Sequence, residues 1–312
     1  SVMTLTEDEY KMLQAWSDVL LELPEIRTLA DESGDKGLAA AVSQAEEALA
    51  LTAVSDLAEA LPAAHAALQD ALRAYMESSG EEFDLTFLLQ NPTFDTDGSG
   101  WDGTSFSAAS SGVAEFYNTT FDTWQVLTDM PVGTYTFSCQ GFYRDGGYSE
   151  AYPAHQNGTE RLRAVLYVNG ASEPFMSLFD DSAPYVYDTS NPFYVVYTYP
   201  DDVWGANTAF NTDGQYKDNA VVYELKERGD LKVGMSKNEH KNADWTCFDN
   251  FRLTFKGVKG DDIREVLDDA SAPVDVYTLS GVKVRGNVQP AHAADGLPQG
   301  LYIIGKKKVF VK

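Results

Sequence analysis

Basic side chains are scarce in this chain. Its 312 residues carry 23 Lys and Arg against 48 Asp and Glu, a formal net charge of -25. Such a surface cannot neutralise a row of phosphates, which excludes nucleic acid as the expected partner. No apolar run reaches the roughly 18 residues a membrane span needs. The two cysteines, Cys139 and Cys247, make neither a disulfide framework nor a zinc spacing. Four histidines (His65, His155, His240, His292) are scattered, with no i, i+4 or HExxH pairing. There is no GxSxG elbow, Walker loop or Cys/His nucleophile signature, so catalysis finds little support. The acid pairs Asp180-Asp181 and Asp201-Asp202 would have to stand about 5–9 Å apart across a sugar to act as glycosidase carboxyls, and solvated loop acids are far commoner. No signal peptide is present and the chain opens at Ser1 without an initiator Met, which reads as a mature or trimmed chain.

What is present divides into segments. The first ninety residues hold 18 acidic and four basic side chains, whereas the stretch from Ser271 holds six basic and two acidic. Residues 1–82 read as a three-helix, up-down-up bundle. Thr6-Glu7-Asp8-Glu9 is a capping box. Tyr10, Leu13, Trp16, Val19 and Leu20 then follow at helical spacing and read as the core stripe of the first helix. Pro24 is expected to end or break that helix. A second, Ala-rich helix covers Ala39–Leu51. Ser55 is the expected cap of a third, which Pro62 should kink or restart and which Leu57, Leu61, Leu68, Leu72 and Tyr75 stripe.

Residues 83–256 read as β, with frequent turn signals and strands rich in Tyr, Phe, Val and Thr. In Gly133–Arg144, Tyr135, Phe137, Cys139 and Gly141 share one face and Thr134, Thr136, Ser138 and Gln140 the other. In Trp245–Phe255 the odd residues Trp245, Cys247, Phe251, Leu253 and Phe255 share one phase. Strands are also expected at Arg163–Val168 and Leu231–Met235. One dry and one wet face over many strands implies a β-sandwich. Cys139 and Cys247 fall in apolar phases, as two free core thiols or as a facing pair; two free thiols are the reading preferred.

Specific strings carry a resemblance. NPTFDTDGSGW (91–101), FYNTTFDTWQVLTDMPVGTYTFSCQGFYRDG (116–146), LKVGMSK (231–237) and DWTCFDNFRLTF (244–255) resemble the opening, central and closing strands of galactose-binding-like jelly-roll domains. That family includes carbohydrate-binding modules appended to bacterial glycan-degrading enzymes. The resemblance implies a structural calcium held by the closing-strand Asp249 against the opening loop, with Asp95 and Asp97; the other reading has Asp249 capping amides or paired with a base. It also implies a glycan partner. Sugars lay C–H faces on aromatic rings and hydrogen-bond to polar groups, and Trp101, Trp124, Arg144, Tyr148, Tyr152 and Trp204 lie in or beside turn-rich stretches. For any one of these aromatics, packing under a long loop is the commoner role. Tyr185, Tyr187, Phe193, Tyr194, Tyr197 and Tyr199 crowd one such stretch, Phe193–Tyr199 having strand composition; Ala206–Phe210 reads as a short helix.

Residues 257–271 read as an interdomain linker. Residues 272–312 read as a small C-terminal β-sandwich, with strands at Val274–Leu279, Leu301–Ile304 and Val309–Val311 and a Lys306–Lys308 hairpin. VYTLSG, LPQGLYI and the Lys-rich end resemble the C-terminal sorting domain of type IX secretion cargo in Bacteroidetes-type bacteria. That resemblance implies contact with the secretion machinery and a secreted or outer-membrane-surface protein. The expected whole is multidomain, α then β: a non-catalytic carbohydrate-binding protein. The alternatives are a structural or adhesive surface protein binding another protein, or the accessory half of a glycoside hydrolase.

Overall fold

Three helices come first and antiparallel sheets follow in the computed structural model, which describes residues 5–95, 97–105, 112–181, 199–257, 273–278, 281–289, 292–304 and 307–311. Helix α1 (Glu7–Ser33) opens on the expected box: Thr6 Oγ1 accepts the Glu9 N–H at 3.2 Å, and the Glu9 carboxylate accepts the Thr6 N–H at 2.8 Å. Pro24 does not end the helix. An interior proline costs about 3 kcal/mol, but burying Val19, Leu23 and Ile26 on one face returns about 1.5–3 kcal/mol each. Helix α2 (Lys36–Leu49) is capped by Asp35, which accepts the Leu38 N–H at 2.9 Å. Helix α3 (Val54–Ser79) starts at Ala53 with no side-chain cap; Ser55 instead donates to Asp56, and the helix runs unbroken through Pro62.

The expected core stripe of α1 is corrected. Met12, Ala15, Val19, Leu23, Ile26 and Ala30 are buried, while Tyr10 is 59% and Trp16 42% exposed, with Leu13 and Leu20 exposed as well. Apolar residues are spread around more than one side of this helix, between charged ones, so two faces are candidates and which one packs is a tertiary choice. Glu22 lies within the packed face, where it accepts the Gln69 side-chain amide at 2.5 Å and stands 3.3 Å from His65 Nε2. That hydrogen bond is the main cause of a raised His65 pKa.

The strands are β1 (Glu82–Asp84), β2 (Asp102–Gly103), β3 (Ala114–Tyr117), β4 (Phe121–Met130), β5 (Gly133–Arg144), β6 (Val165–Val168), β7 (Ala171–Pro174), β8 (Asn219–Leu225), β9 (Gly229–Lys237) and β10 (Trp245–Gly257). One antiparallel sheet runs β1-β10-β5-β8, with β3 also on β10; the second runs β2-β4-β9-β6-β7. Residues of both sheets and of the three helices enter one hydrophobic cluster, in which Phe137, Leu253 and Phe255 join Leu166, Leu231 and Met235. Ser1–Val258 is a single compact unit.

The closing strand departs from simple alternation. Its register against β5 shifts between Asp249 and Arg252, where Asn250 has φ +52°. This bulge inserts one residue and reverses the phase. Phe251, Leu253 and Phe255 therefore share the main core with Phe248, while Trp245 and Cys247 enter a second cluster on the opposite face. The five odd residues do not share one phase. Cys139 belongs to the main cluster and Cys247 to the second, and both are free and buried.

Lys259–Lys312 is a separate compact unit. Its described strands, β11 (Val274–Thr278), β12 (Lys283–Val288), β13 (Gly300–Ile304) and β14 (Lys307–Val311), form one sheet in the order β12-β11-β13-β14, in place of the expected small sandwich. Val276, Ala293, Tyr302, Ile304, Val309 and Val311 fill its core. Strand β12 escaped the sequence pattern because it is an exposed edge bearing Lys283 and Arg285, the charges that blunt an edge. Of the expected linker, residues 258–271 lie outside the described residues, as do Leu279 and Lys306.

Candidate functional site

At one end of the two sheets β5 finishes at Arg144, β9 finishes at Lys237 and β10 begins at Trp245. Here the outer face of the first sheet is covered. Helix α4 (Tyr148–Gln156), helix α5 (Val203–Asn207) and the segments around Leu178, Phe210 and Tyr216 bury Phe142, Trp245 and Cys247 beneath them.

Arg144 ties this cap to the sheet. It is 6% exposed; its Nε donates to the Gly146 carbonyl at 3.0 Å, and its Nη1 donates to Asp201 at 2.5 Å. Its guanidinium stands 5.3 Å from the Trp245 ring centroid. Next along the chain, Asp202 caps α5 by accepting the Gly205 N–H at 2.7 Å. Trp204, inside that helix, is 63% exposed. The indole is thus carried by a short helix pinned at its start by two neighbouring carboxylates. Tyr148 and Tyr152 have a different role. Their rings stack at 6.1 Å and meet Phe179 edge-on at 5.7 and 5.2 Å, so they pack the cap. Tyr199 closes on Phe179 at 5.1 Å. Tyr185, Tyr187, Phe193, Tyr194 and Tyr197 lie outside the described residues.

Beneath Arg144 is a network that sequence patterns did not indicate. Lys237 and Asp244 form an ion pair at 2.7 Å with both side chains fully buried; the contact is ionic, not an aligned hydrogen bond. Asp244 also accepts from the Tyr143 hydroxyl at 3.1 Å and the Lys241 N–H at 3.0 Å. Burial pushes the Lys237 pKa down, against the pull of Asp244. Asp145 is paired with Arg163 and accepts the Arg161 N–H. The readable signal was parity: Lys237 stands two residues beyond Met235, on the buried side of β9.

Trp101 and Trp124 lie elsewhere. Trp101 is half-buried against Phe251 (4.9 Å) and Phe94 (5.6 Å), and its indole N–H donates to the Asn91 carbonyl at 3.3 Å. It packs the opening loop, so its loss should weaken the fold as well as any binding. Trp124 is half-buried on the second sheet. A Cβ at Gly103 would lie 2.4 Å from Trp124 Cζ3, and one at Gly234 would lie 2.8 Å from the Tyr167 ring, so both aromatics rest directly on glycine backbone. Lys232 Nζ stands 3.8 Å above the Trp124 ring, and the Tyr167 hydroxyl donates to Asp122 at 2.7 Å.

The opening loop does reach the closing-strand bulge. Phe94, buried at φ +49°, contacts Phe248 and Phe251, and the Phe251 N–H donates to the Pro92 carbonyl at 2.9 Å. Asp249 is 1% exposed and accepts from the Asn211 side chain at 2.9 Å and from the Asn250 N–H at 2.7 Å. Burial pushes its pKa up to about 7, with the charge of Asp95 adding to the rise and the two donors opposing it. Asp95 is exposed and accepts from Thr93 at 2.6 Å; Asp97 is turned to Ser99, whose hydrogen bonds hold its carboxyl below the usual range. A cation would relieve the Asp95–Asp249 repulsion. Calcium takes six to eight oxygens, yet among the described residues no group of three or more His, Cys, Asp or Glu is gathered to hold a metal. Two carboxylates fit the charge and fall short of the number.

Comparison of the chain with family models, with characterised proteins and with solved structures finds no match. Among the described residues no helix is long and apolar enough to cross a membrane.

Proposed function

We propose that this chain is a non-catalytic, carbohydrate-binding protein of the cell surface or the secreted fraction, and that Trp204 is its principal ligand contact. One observation carries the reading: a tryptophan 63% exposed on a pinned helix, beside Asp201, Asp202 and Arg144. Leaving so large an apolar side chain in water forgoes about 1.5–3 kcal/mol of burial. Sugar C–H faces stack on such rings while their hydroxyls reach adjacent carboxylates. The two sheets are proposed to be a jelly-roll of the galactose-binding-like kind, and the unit from Lys259 a sorting domain read by the type IX secretion machinery. A calcium ion shared by Asp95 and Asp249 is part of the same proposal.

The test is a broad glycan array probed with the full chain, followed by titration of any hit. Single modules bind weakly, with Kd near the millimolar to micromolar range, about -4 to -8 kcal/mol. Trp204→Ala should abolish binding and keep the circular dichroism of the parent, whereas Phe251→Ala should destabilise the fold by about 3–5 kcal/mol. Silence across the array would replace this reading with a structural or adhesive one, and full binding by Trp204→Ala would remove Trp204 as the contact. A glycosidase domain encoded in the same gene would assign the chain as its accessory half.

A further inference from the structure

Helix α1 presents a second apolar face to solvent, and it forms one wall of a groove. The opposite wall is the segment 84–92 at the entry to the sheets, and the groove between them measures about 1050 Å³. Tyr10, Leu13, Leu21, Phe87 and Leu89 line it. Tyr10 and Leu21 are 59% and 61% exposed, too much apolar surface for a solvent-facing stripe without a purpose. From Tyr10 to Glu25 the lining residues of α1 recur at three- and four-residue steps, a seam roughly 24 Å long at 1.5 Å per residue.

The charge of the lining is of one sign. Asp18, Glu25 and Asp84 line the groove and no Lys, Arg or His does. At one end the groove adjoins a smaller cavity of about 270 Å³ that shares Asp18, Leu21, Phe87 and Leu89. The cations there are hydrogen-bonded or paired to other acids, His65 to Glu22 and Arg73 to Asp70 and Asp129, although the His65 charge is also felt at Asp18. Asp18, between the two cavities, accepts no hydrogen bond among the described residues, and burial raises its pKa. Two of the possible occupants are disfavoured by charge. A second copy packed symmetrically would set these acids against themselves, on a chain of net charge -25. An anionic lipid surface would be repelled in the same way.

We propose that this groove binds a basic amphipathic helix of a partner protein, apolar residues seated between Leu13, Leu21 and Phe87 and one Lys or Arg received by Asp18. This is recognition of a helix by a groove, with anchors at i, i+3 or i+4, and i+7. It is independent of the sugar contact assigned to Trp204.

Isothermal titration of the full chain with three synthetic peptides of about 16 residues, the length that matches the seam, tests it. The first carries Leu at helical spacing on a Lys background; the second has Glu in place of Lys; the third is the first with its order shuffled so that no helical face forms. The first should bind one-to-one and saturably, at least about tenfold tighter than the others. Asp18→Asn should weaken it about tenfold, as expected for loss of a charge-assisted contact. Leu21→Lys should abolish it while retaining the parent's circular dichroism, since the position is exposed. Trp204→Ala should leave it unchanged. The proposal is overturned by absence of saturable binding, by equal binding of all three peptides, or by indifference to Leu21→Lys. Dimerisation in sedimentation that Leu21→Lys relieves would give the groove to a second copy and overturn it too.

Discussion

Two carboxylates five residues apart show two ways of burying a charge. Asp244 and Asp249 are 0% and 1% exposed. Asp244, just before β10, meets the Lys237 ammonium at 2.7 Å and two further donors. Asp249, at the bulge, meets only the amides of Asn211 and Asn250 among the described residues and feels the charge of Asp95. Hydrogen bonds favour the charged form of a buried carboxylate, and an opposite charge favours it further; at Asp249 the two bonds are outweighed by burial, which holds it toward its neutral form. The first site is therefore a fixed joint between the sheets and the second a titrating one.

The largest effect should come from breaking the joint. Asp244→Ala leaves Lys237 buried and unpaired, which typically costs about 3–5 kcal/mol. Urea unfolding of the variant should show that loss, and adding Lys237→Met should restore part of it. A double variant no more stable than the single would mean that Asp244 acts through Tyr143 and Lys241 rather than through the ion pair.

Asp249 should give a smaller, pH-dependent effect. Its folded pKa, about 7, lies above the reference of 3.8, so the folded state binds the extra proton between those values. Stability should then fall as pH rises across that window, and the penalty should persist above it. Asp249→Asn should flatten the decline of Tm over the same range. Calcium should flatten it in the parent alone, by supplying the missing positive charge, and a chelator should reverse that. Parallel parent and variant curves would remove Asp249 from the account, and a parent insensitive to both calcium and chelator would remove the metal.

The smallest effect should come from the helices. His65 has a pKa raised above 6.5, chiefly by its hydrogen bond to Glu22. Its contribution is fully present below about pH 6.5 and is lost as pH climbs through the raised value. His65→Gln should lose stability mainly at the acid end; a loss equal at all pH values would assign the residue to packing alone.

Local rules made part of this legible in the sequence. The Thr6–Glu9 box, Gly133–Arg144 and the α-then-β order follow from spacing and composition. Pro24 and Pro62 misled because propensity is a local term, and packing of the buried face outweighs it. The tryptophan at position 16 misled because α1 carries apolar residues on its exposed side as well as its packed one. Nothing in the sequence marks Asn250 as the residue that steps out of register, and that one step moves Trp245 and Cys247 to the other face. In the candidate site the exposed Trp204 stood in view. Its support by Asp201 and Arg144 did not, because that contact joins residues 57 positions apart.

The bulge in β10 also supplies the molecule with two internal reporters. Because the strand changes phase there, one free thiol sits in the shared interior and the other under the loop cap, and burial raises both thiol pKa values well above the ordinary range. Neither should react with an alkylating reagent while its own cover is closed. Lifting of the cap alone would uncover Cys247 and leave Cys139 silent, so labelling kinetics at the two positions separate local breathing of the capped end from unfolding of the whole.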